Sequence, residues 1–392
     1  MHVADTAHVR AGQSRVGLLI VGGGVMGLWA AVQAERRGID TLLIDSGQIG
    51  HGASGGLMGA LMPHMPDNWS DKKQFQFEAL VSLEEEIASL ERETGVSAGY
   101  RRSGRLIPLP KPHLRAIAEK HEKEAGERWI AGGRSFAWSV RDASPCGNVW
   151  PATDHAAAGL VFDTLAAHVF PRRVSALLGA FLRSARHVRI REGAELDRFD
   201  AARGIATLST GEEVVFGHAI VAAGYRSFPI LEALGAPLPR PLGQPVKGQA
   251  ALLAADVDPD LPLLYLDGLY VVPHEGGRVA VGSTSENRFA DPFSTDEQLD
   301  EVVARARVLA PVLEKAEVVE RWAGLRPKAI DRDPMVGEHP DHRNVIALTG
   351  GFKVSFGLAH RLADAALQIV EGGTPVLPAS FHLSNHITVA SR

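Results

Sequence analysis

The segment from Gly17 to Asp45 leaves this chain little choice of fold. Gly17-Leu18-Leu19-Ile20-Val21 is a continuous apolar run with branched residues, the pattern of a strand buried on both faces of a parallel sheet. Gly22-Gly23-Gly24-Val25-Met26-Gly27 follows and gives G-x-G-x-x-G at 22, 24 and 27. Leu28 to Arg37 is Ala-rich and reads as a helix ended by Gly38. Thr41-Leu42-Leu43-Ile44 is a second strand, and Asp45 at its end lies 18 residues after Gly27. Gly22 allows the tight turn, Gly24 lets a pyrophosphate approach the backbone, and Gly27 lets helix and strand pack closely. The helix N-terminus offers amides and a positive dipole end to phosphate. Asp45 can accept hydrogen bonds from both ribose hydroxyls. A glycine-rich turn alone is a weak signal, but the full strand–glycines–helix–strand–acid unit predicts an α/β fold with a dinucleotide site. The acid would repel the 2′-phosphate of NADP, which leaves NAD and FAD.

The next segment bears on that choice. Gly50-His51-Gly52-Ala53-Ser54-Gly55-Gly56-Leu57-Met58-Gly59-Ala60 is a long loop of small residues. It reads either as a surface loop or as a strip running along an extended cofactor, with Ser54 donating to phosphate. Val16 to Ala34 holds nineteen residues without a charge, long enough to imitate a membrane span or a signal-peptide core. Its three consecutive glycines would break a spanning helix, and Asp5 makes a poor signal start. Forty-one Lys+Arg against 46 Asp+Glu gives a net charge of −5, which argues against a nucleic-acid binder. The one cysteine, Cys146, excludes an intramolecular disulfide and any multi-cysteine metal site, and fits a reducing, cytoplasmic setting.

Further along, Phe75 to Glu93 carries an apolar stripe at Leu80, Leu83, Ile87 and Leu90 and reads as an amphipathic helix. Residues 100–150 show turns and polar runs with no clear chemistry. Val174 to Arg186 reads as a helix, and Val188–Ile190 and Gly204–Val215 as strands of a meander. Ala219 to Ala223 is a buried strand ending at Gly224, a second point where backbone can touch a dinucleotide. Prolines at 237, 239, 241 and 245 suggest a crossing between domains. Leu263 to Ser283 reads as an antiparallel hairpin around Gly276-Gly277. Asp296 to Leu309 and Leu358 to Glu371 are helical, and Val345 to Leu348 is a strand. His339 and His342 are placed in a Pro-rich loop, and His382 and His386 near a tail. Neither pair makes a convincing metal site, and no metal is expected.

The set of motifs resembles the D-amino-acid oxidase family of FAD enzymes, especially its glycine oxidases and, at one motif, monomeric sarcosine oxidase. The resembling strings are the Gly22/Gly24/Gly27 turn with Asp45, the Ser54–Ala60 loop, Pro245-Val246-Lys247-Gly248-Gln249 and Leu269-Tyr270-Val271-Val272-Pro273. Trp322-Ala323-Gly324-Leu325-Arg326-Pro327, Val336-Gly337 and Gly350-Gly351-Phe352-Lys353 complete it. The resemblance implies a Rossmann-type FAD-binding domain and a discontinuous α+β substrate domain on an antiparallel sheet. It implies that Arg326 grips a substrate carboxylate, that Tyr270 lines the substrate pocket, that Lys353 lies near the carboxylate, and that residues 351–357 run along the flavin ring. An arginine fork suits a carboxylate on its own chemistry.

The expected catalytic residues are therefore Arg326, Tyr270 and Lys353. The expected cofactor contacts are Gly22, Gly24, Val25, Met26, Gly27, Asp45, Ser46, Ala53, Ser54, Leu57, Met58, Gly224, Gly351, Phe352, Lys353, Val354 and Ser355. The sarcosine-oxidase cysteine that anchors flavin has no counterpart from Arg326 to Pro334, so FAD is expected to be non-covalent. The lysine that speeds oxygen reduction there has none around Val279 to Ser283. The expected activity is oxidative deamination of an amino acid or secondary amine bearing a carboxylate, with oxygen or another acceptor taking the electrons. A dehydrogenase feeding a quinone or partner protein, and a silent flavin subunit of a hetero-oligomer, are the rivals. The expected domains are 14–75, 155–245 and 325–392 for FAD, 76–154 and 246–324 for substrate, and 1–13 as a disordered tail.

Overall fold

The computed structural model describes residues 13–392. Two eight-stranded sheets organise the chain. In the first, Gln13–Val21 lies parallel to both Thr41–Ile44 and Glu213–Val221. Val188–Arg191 extends this sheet in parallel beside Thr41–Ile44, and His342–Thr349 lies parallel to Glu213–Val221. Successive side chains of the first strand point to opposite faces. Leu18 and Ile20 enter the core under the helices, whereas Leu19 and Val21 pack with Ala206, Val214 and Phe216. Burial on both faces is why the run from Gly17 to Val21 has no polar side chain. Helices Val25–Arg36, Pro171–Arg183, Asp71–Thr94 and Ser355–Val370 pack on one another over the first face.

The second sheet runs Glu317–Ala329, Gly243–Ala254, Arg278–Gly282, Leu269–His274, Leu263–Leu266, Arg105–Pro108, Leu160–Asp163 and Trp138–Arg141. Ala251, Leu253, Val279 and Val281 pack against Leu299, Val303 and Ala306 of helix Glu297–Leu309. The alternate residues Ala250, Leu252 and Ala280 face Leu57 and Met58 of the small-residue loop. The sheet thus has one side on a helix and the other on the loop that follows Asp45.

Several expectations need correction. The first helix begins at Val25, inside the glycine motif, so Met26 and Gly27 are helical. Val188–Arg191 is an edge strand of the parallel sheet; the meander is Leu196–Asp200, Ile205–Leu208 and Glu213–Val221. The second sheet is not wholly antiparallel, because Leu263–Leu266 pairs in parallel with Arg105–Pro108. Leu160–Asp163 belongs to this sheet, so a domain boundary at 154/155 cuts it off from its partners, and one at 324/325 falls inside Glu317–Ala329. Helix Asp71–Thr94 packs with the helices of the first sheet. His339 and His342 end and begin the paired strands Met335–His339 and His342–Thr349 instead of occupying a loop. His386 is buried in helix Leu383–Ala390. Gln13 opens the first strand, and the rest of the expected tail lies outside the described residues.

Residues 100–150 also carry more than turns. Arg105 and Asp163 face each other across paired strands and form a fully buried ion pair at 2.6 Å. Asp163 also accepts from the amides of Leu165 and Ala166 at 2.8 and 3.0 Å. Removing one member of such a pair leaves an uncompensated buried charge, at a cost of about 3–5 kcal/mol.

Candidate active site

A cleft of about 940 Å³ lies between the two sheets. That volume is at the upper end for small-molecule and cofactor sites. One end of it is the glycine turn. Gly22 has φ +107°, and a Cβ there would sit 2.5 Å from the carbonyl oxygen of Ala222. A Cβ on Gly27 would sit 1.9 Å from the carbonyl oxygen of Gly22. These two glycines hold helix and strand together. Gly24 differs: a Cβ there would meet only Ser54 Oγ, at 3.3 Å, and the residue lines the cleft. The first turn of the helix has no acidic residue and no side-chain cap. Its amides are left for an anion, with one exception. The Val25 amide donates to Ser54 Oγ at 2.9 Å, which leaves the Ser54 hydroxyl hydrogen to donate onward.

Asp45 does more than was expected of it. Its two oxygens accept from the amides of Gly23 and Gly47, at 2.7 and 2.8 Å. The carboxylate thus braces the glycine turn, while its remaining lone pairs stay available to hydroxyls. Ser46, Ala53, Leu57 and Met58 line the cleft beside it. Gly224 lines it too, at φ +59°, with its carbonyl accepting from Thr349 Oγ1 at 2.8 Å. A dinucleotide fits this end: a positive turn, a hole where a Cβ would be, a hydroxyl and a carboxylate.

The other end carries Arg326 and Lys353. Arg326 stands on Glu317–Ala329, Tyr270 on Leu269–His274 and Lys353 in the turn before Ser355–Val370, and all three line the same cleft. Arg326 donates from Nη1 to the carbonyl of Thr284 at 3.1 Å. Burial lowers its pKa to about 10, opposed by Tyr270 and Glu286, so it is charged at neutral pH. Burial lowers Lys353 as well, and the charge of Arg326 adds to that effect. Burial raises the Tyr270 phenol, helped by Tyr265, whose ring centre is 5.0 Å away. Among the described residues neither Arg326 nor Lys353 forms an ion pair; Lys353 Nζ lies 5.6 Å from the Phe352 ring. Arg326, half-buried and without an ion pair, asks for an anion, and Lys353, exposed at the cleft, adds a second positive charge there. The cleft's acidic residues, Asp45 and Glu195, belong to the glycine-turn end.

The segment before helix Ser355–Val370 is a tight turn. The Val354 amide bonds to the Gly351 carbonyl at 2.9 Å, and Phe352 sits at φ +44°. A Cβ on Gly351 would lie 2.5 Å from Ser355 Oγ. The expected run along 351–357 is therefore a turn over 351–354, followed by a helix that already includes Ser355. Its N-terminus has no acidic residue in the first turn and lies at the cleft, where its dipole favours negative charge. Gly351, Phe352, Val354 and Ser355 all line the cleft; of the expected residues only Gly27 does not. Trp322 and His64 also line it and were not singled out. The Trp-Ala-Gly-Leu-Arg-Pro string does contain Trp322, four residues before Arg326 on the same strand face. His64 had no pattern to mark it.

The family model described as DAO, FAD dependent oxidoreductase, matches residues 18–365, and the chain belongs to that family. It is a FAD-dependent oxidoreductase, and the cleft's glycine-turn end accords with its cofactor. Among characterised relatives, the glycine oxidase of Pseudomonas putida (strain KT2440) is 26% identical over 376 residues, covering 93% of this chain and 97% of that protein. The fold matches the crystal structure of glycine oxidase from Geobacillus kaustophilus with a TM-score of 0.83 at 23% identity, covering 95% of this chain and all of the other. It also matches iminodiacetate oxidase from Chelativorans sp. BNC1, with a TM-score of 0.78 at 22% identity over 93% and 98% of the two chains. Among the described residues no helix is long and apolar enough to cross a membrane, and no cluster of three or more His, Cys, Asp or Glu could hold a metal.

Proposed function

We propose that this enzyme oxidises a carboxylate-bearing amino acid or secondary amine. The observation that carries the reading is the pair of unpaired cations, Arg326 and Lys353, in the same cleft as the glycine turn. FAD, held non-covalently, supplies acceptance of a hydride from the substrate's α-carbon and return of the electrons to oxygen as hydrogen peroxide. Arg326 has five N–H donors and uses one on Thr284, so a fork remains for the carboxylate. Lys353 adds a second positive charge to the same anion. Tyr270 can donate its hydroxyl to the carboxylate, since its raised pKa keeps it protonated. No protein base is needed if the amine arrives neutral. The names of the relatives, glycine oxidase and iminodiacetate oxidase, point the same way. In this reading the parallel sheet and its helices hold the cofactor and the second sheet forms the substrate wall. The single cysteine, Cys146, suits a cytoplasmic setting.

A second reading differs only in the electron acceptor. Ser283, just after strand Arg278–Gly282, lines the cleft, and the absence of a lysine from Val279 to Ser283 favours a dehydrogenase passing electrons to a quinone or partner protein. An anaerobic screen of glycine, sarcosine, iminodiacetate and other amino acids, following flavin bleaching, tests the main reading. At least one should bleach the protein within seconds, and none doing so would overturn it. Stoichiometric peroxide on admission of air selects the oxidase; reoxidation by a quinone without peroxide selects the dehydrogenase.

A further inference from the structure

At the substrate end of the cleft two glycines meet on neighbouring strands, Gly324 lining the cleft and Gly248 beneath Arg326. Gly243–Ala254 and Glu317–Ala329 pair antiparallel, in a register that sets Gly248 opposite Gly324, Val246 opposite Arg326 and Ala250 opposite Trp322. Residues 322, 324 and 326 share one face, with 246, 248 and 250 beside them. Arg326 and Trp322 therefore flank the glycine pair from either side. A Cβ on Gly248 would lie 2.0 Å from Arg326 Nη1 and 2.1 Å from both Cζ and Nη2. The guanidinium lies on the bare backbone of Gly248. A Cβ on Gly324 would lie 2.4 and 2.6 Å from the Trp322 indole. A glycine in a strand weakens it and marks a close approach. Here what approaches are the planar side chains themselves.

We propose that Gly248 is a positioning residue: its missing side chain seats the Arg326 guanidinium for carboxylate binding. The seat is fixed from behind. The backbones of Lys247 and Glu286 bond to each other in both directions, at 3.0 and 2.9 Å. The Gln249 amide donates to Thr284 Oγ1 at 2.8 Å, and Gln249 Nε2 donates to Glu286 at 3.0 Å and to Asp296 at 2.7 Å. Gln249 and Lys247 are buried. This network fixes Thr284, whose carbonyl accepts from Arg326. One N–H is thereby latched and the plane of the guanidinium is set by Gly248. The joint presence of Lys-Gly-Gln at 247–249 and Gly-Leu-Arg at 324–326 follows from one packing requirement.

The inference rests on the proposed carboxylate role of Arg326, so the test has two arms. In the first, holoenzyme and its Gly248→Ala variant are titrated with acetate and glycolate, read by the flavin absorbance. The added methyl should weaken binding roughly 5- to 100-fold with FAD content unchanged. Affinity within about twofold of wild type would overturn the proposal. In the second arm, Tm is measured for wild type, Gly248→Ala, Arg326→Ala and the double variant. The Tm loss caused by the methyl should vanish once Arg326 is truncated, because its colliding partner is gone. An equal loss in both backgrounds, or two proteins that both fail to fold, would mean the methyl meets something else and would end the proposal. If wild type binds no carboxylate, the function reading fails, while the second arm still decides the seat.

Discussion

The two ends of the cleft use glycine for the same reason and encode it differently. At Gly22, Gly24 and Gly27 the bare positions lie close together in sequence, within one turn. At Gly248 and Gly324 the bare positions come from distant strands and meet only through sheet register. The first arrangement holds backbone against backbone and leaves one hole for phosphate. The second holds two planar side chains against backbone and leaves their edges in the cleft. A local motif is thus enough to point to a candidate cofactor site, whereas the glycine seat under Arg326 is visible only once the strands are paired.

Gly24→Val breaks the first end and should give the largest effect. A Cβ at Gly24 meets only Ser54 Oγ at 3.3 Å, and the backbone there is at φ −74°, so the branched side chain is tolerated by the fold. The rest of it enters the space left for the pyrophosphate. The variant should purify folded and colourless; a FAD-to-protein ratio equal to wild type would mean that phosphate binds elsewhere. Gly324→Ala probes the second end and should be milder. The indole of Trp322 must shift, at a cost of about 1–3 kcal/mol, with FAD retained. Thermal unfolding and near-ultraviolet circular dichroism report it. A change below about 0.5 kcal/mol, the level of an ordinary surface substitution, would mean the indole is not held on that backbone.

The same contrast explains what could be read from the chain. Thr41–Ile44 falls where the apolar run places it, and Gly276-Gly277 turns the hairpin as expected. Both are decided by neighbours in sequence. Arg105–Pro108 is not legible in the sequence, because its partners Leu160–Asp163 and Leu263–Leu266 are remote and Arg105 reads as part of a polar run unless Asp163 is placed opposite. Val188–Arg191 was assigned to the meander next in sequence, but it pairs with Thr41–Ile44. The start of the first helix was put three residues late, since glycines at its N-terminus imitate a loop. At the candidate site, the motifs single out Arg326, Tyr270 and Lys353. That they line one cleft, and that Gly248 underlies Arg326, required the fold.

In the proposed function, cofactor and substrate carboxylate are held at opposite ends of one cleft by separable residues. Arg326→Ala tests it most directly, with FAD content and anaerobic flavin reduction measured on the same preparation. Truncating one partner of a buried, hydrogen-bonded charge pair costs about 2–5 kcal/mol. At about 1.4 kcal/mol per tenfold, the second-order rate of reduction by the amino-acid substrate should fall roughly 30-fold to several thousand-fold. FAD content should stay at the wild-type level, and a carboxylate-free amine analogue should lose far less. Reduction within about threefold of wild type, equal damage to both amines, or loss of FAD with the arginine would contradict the claim.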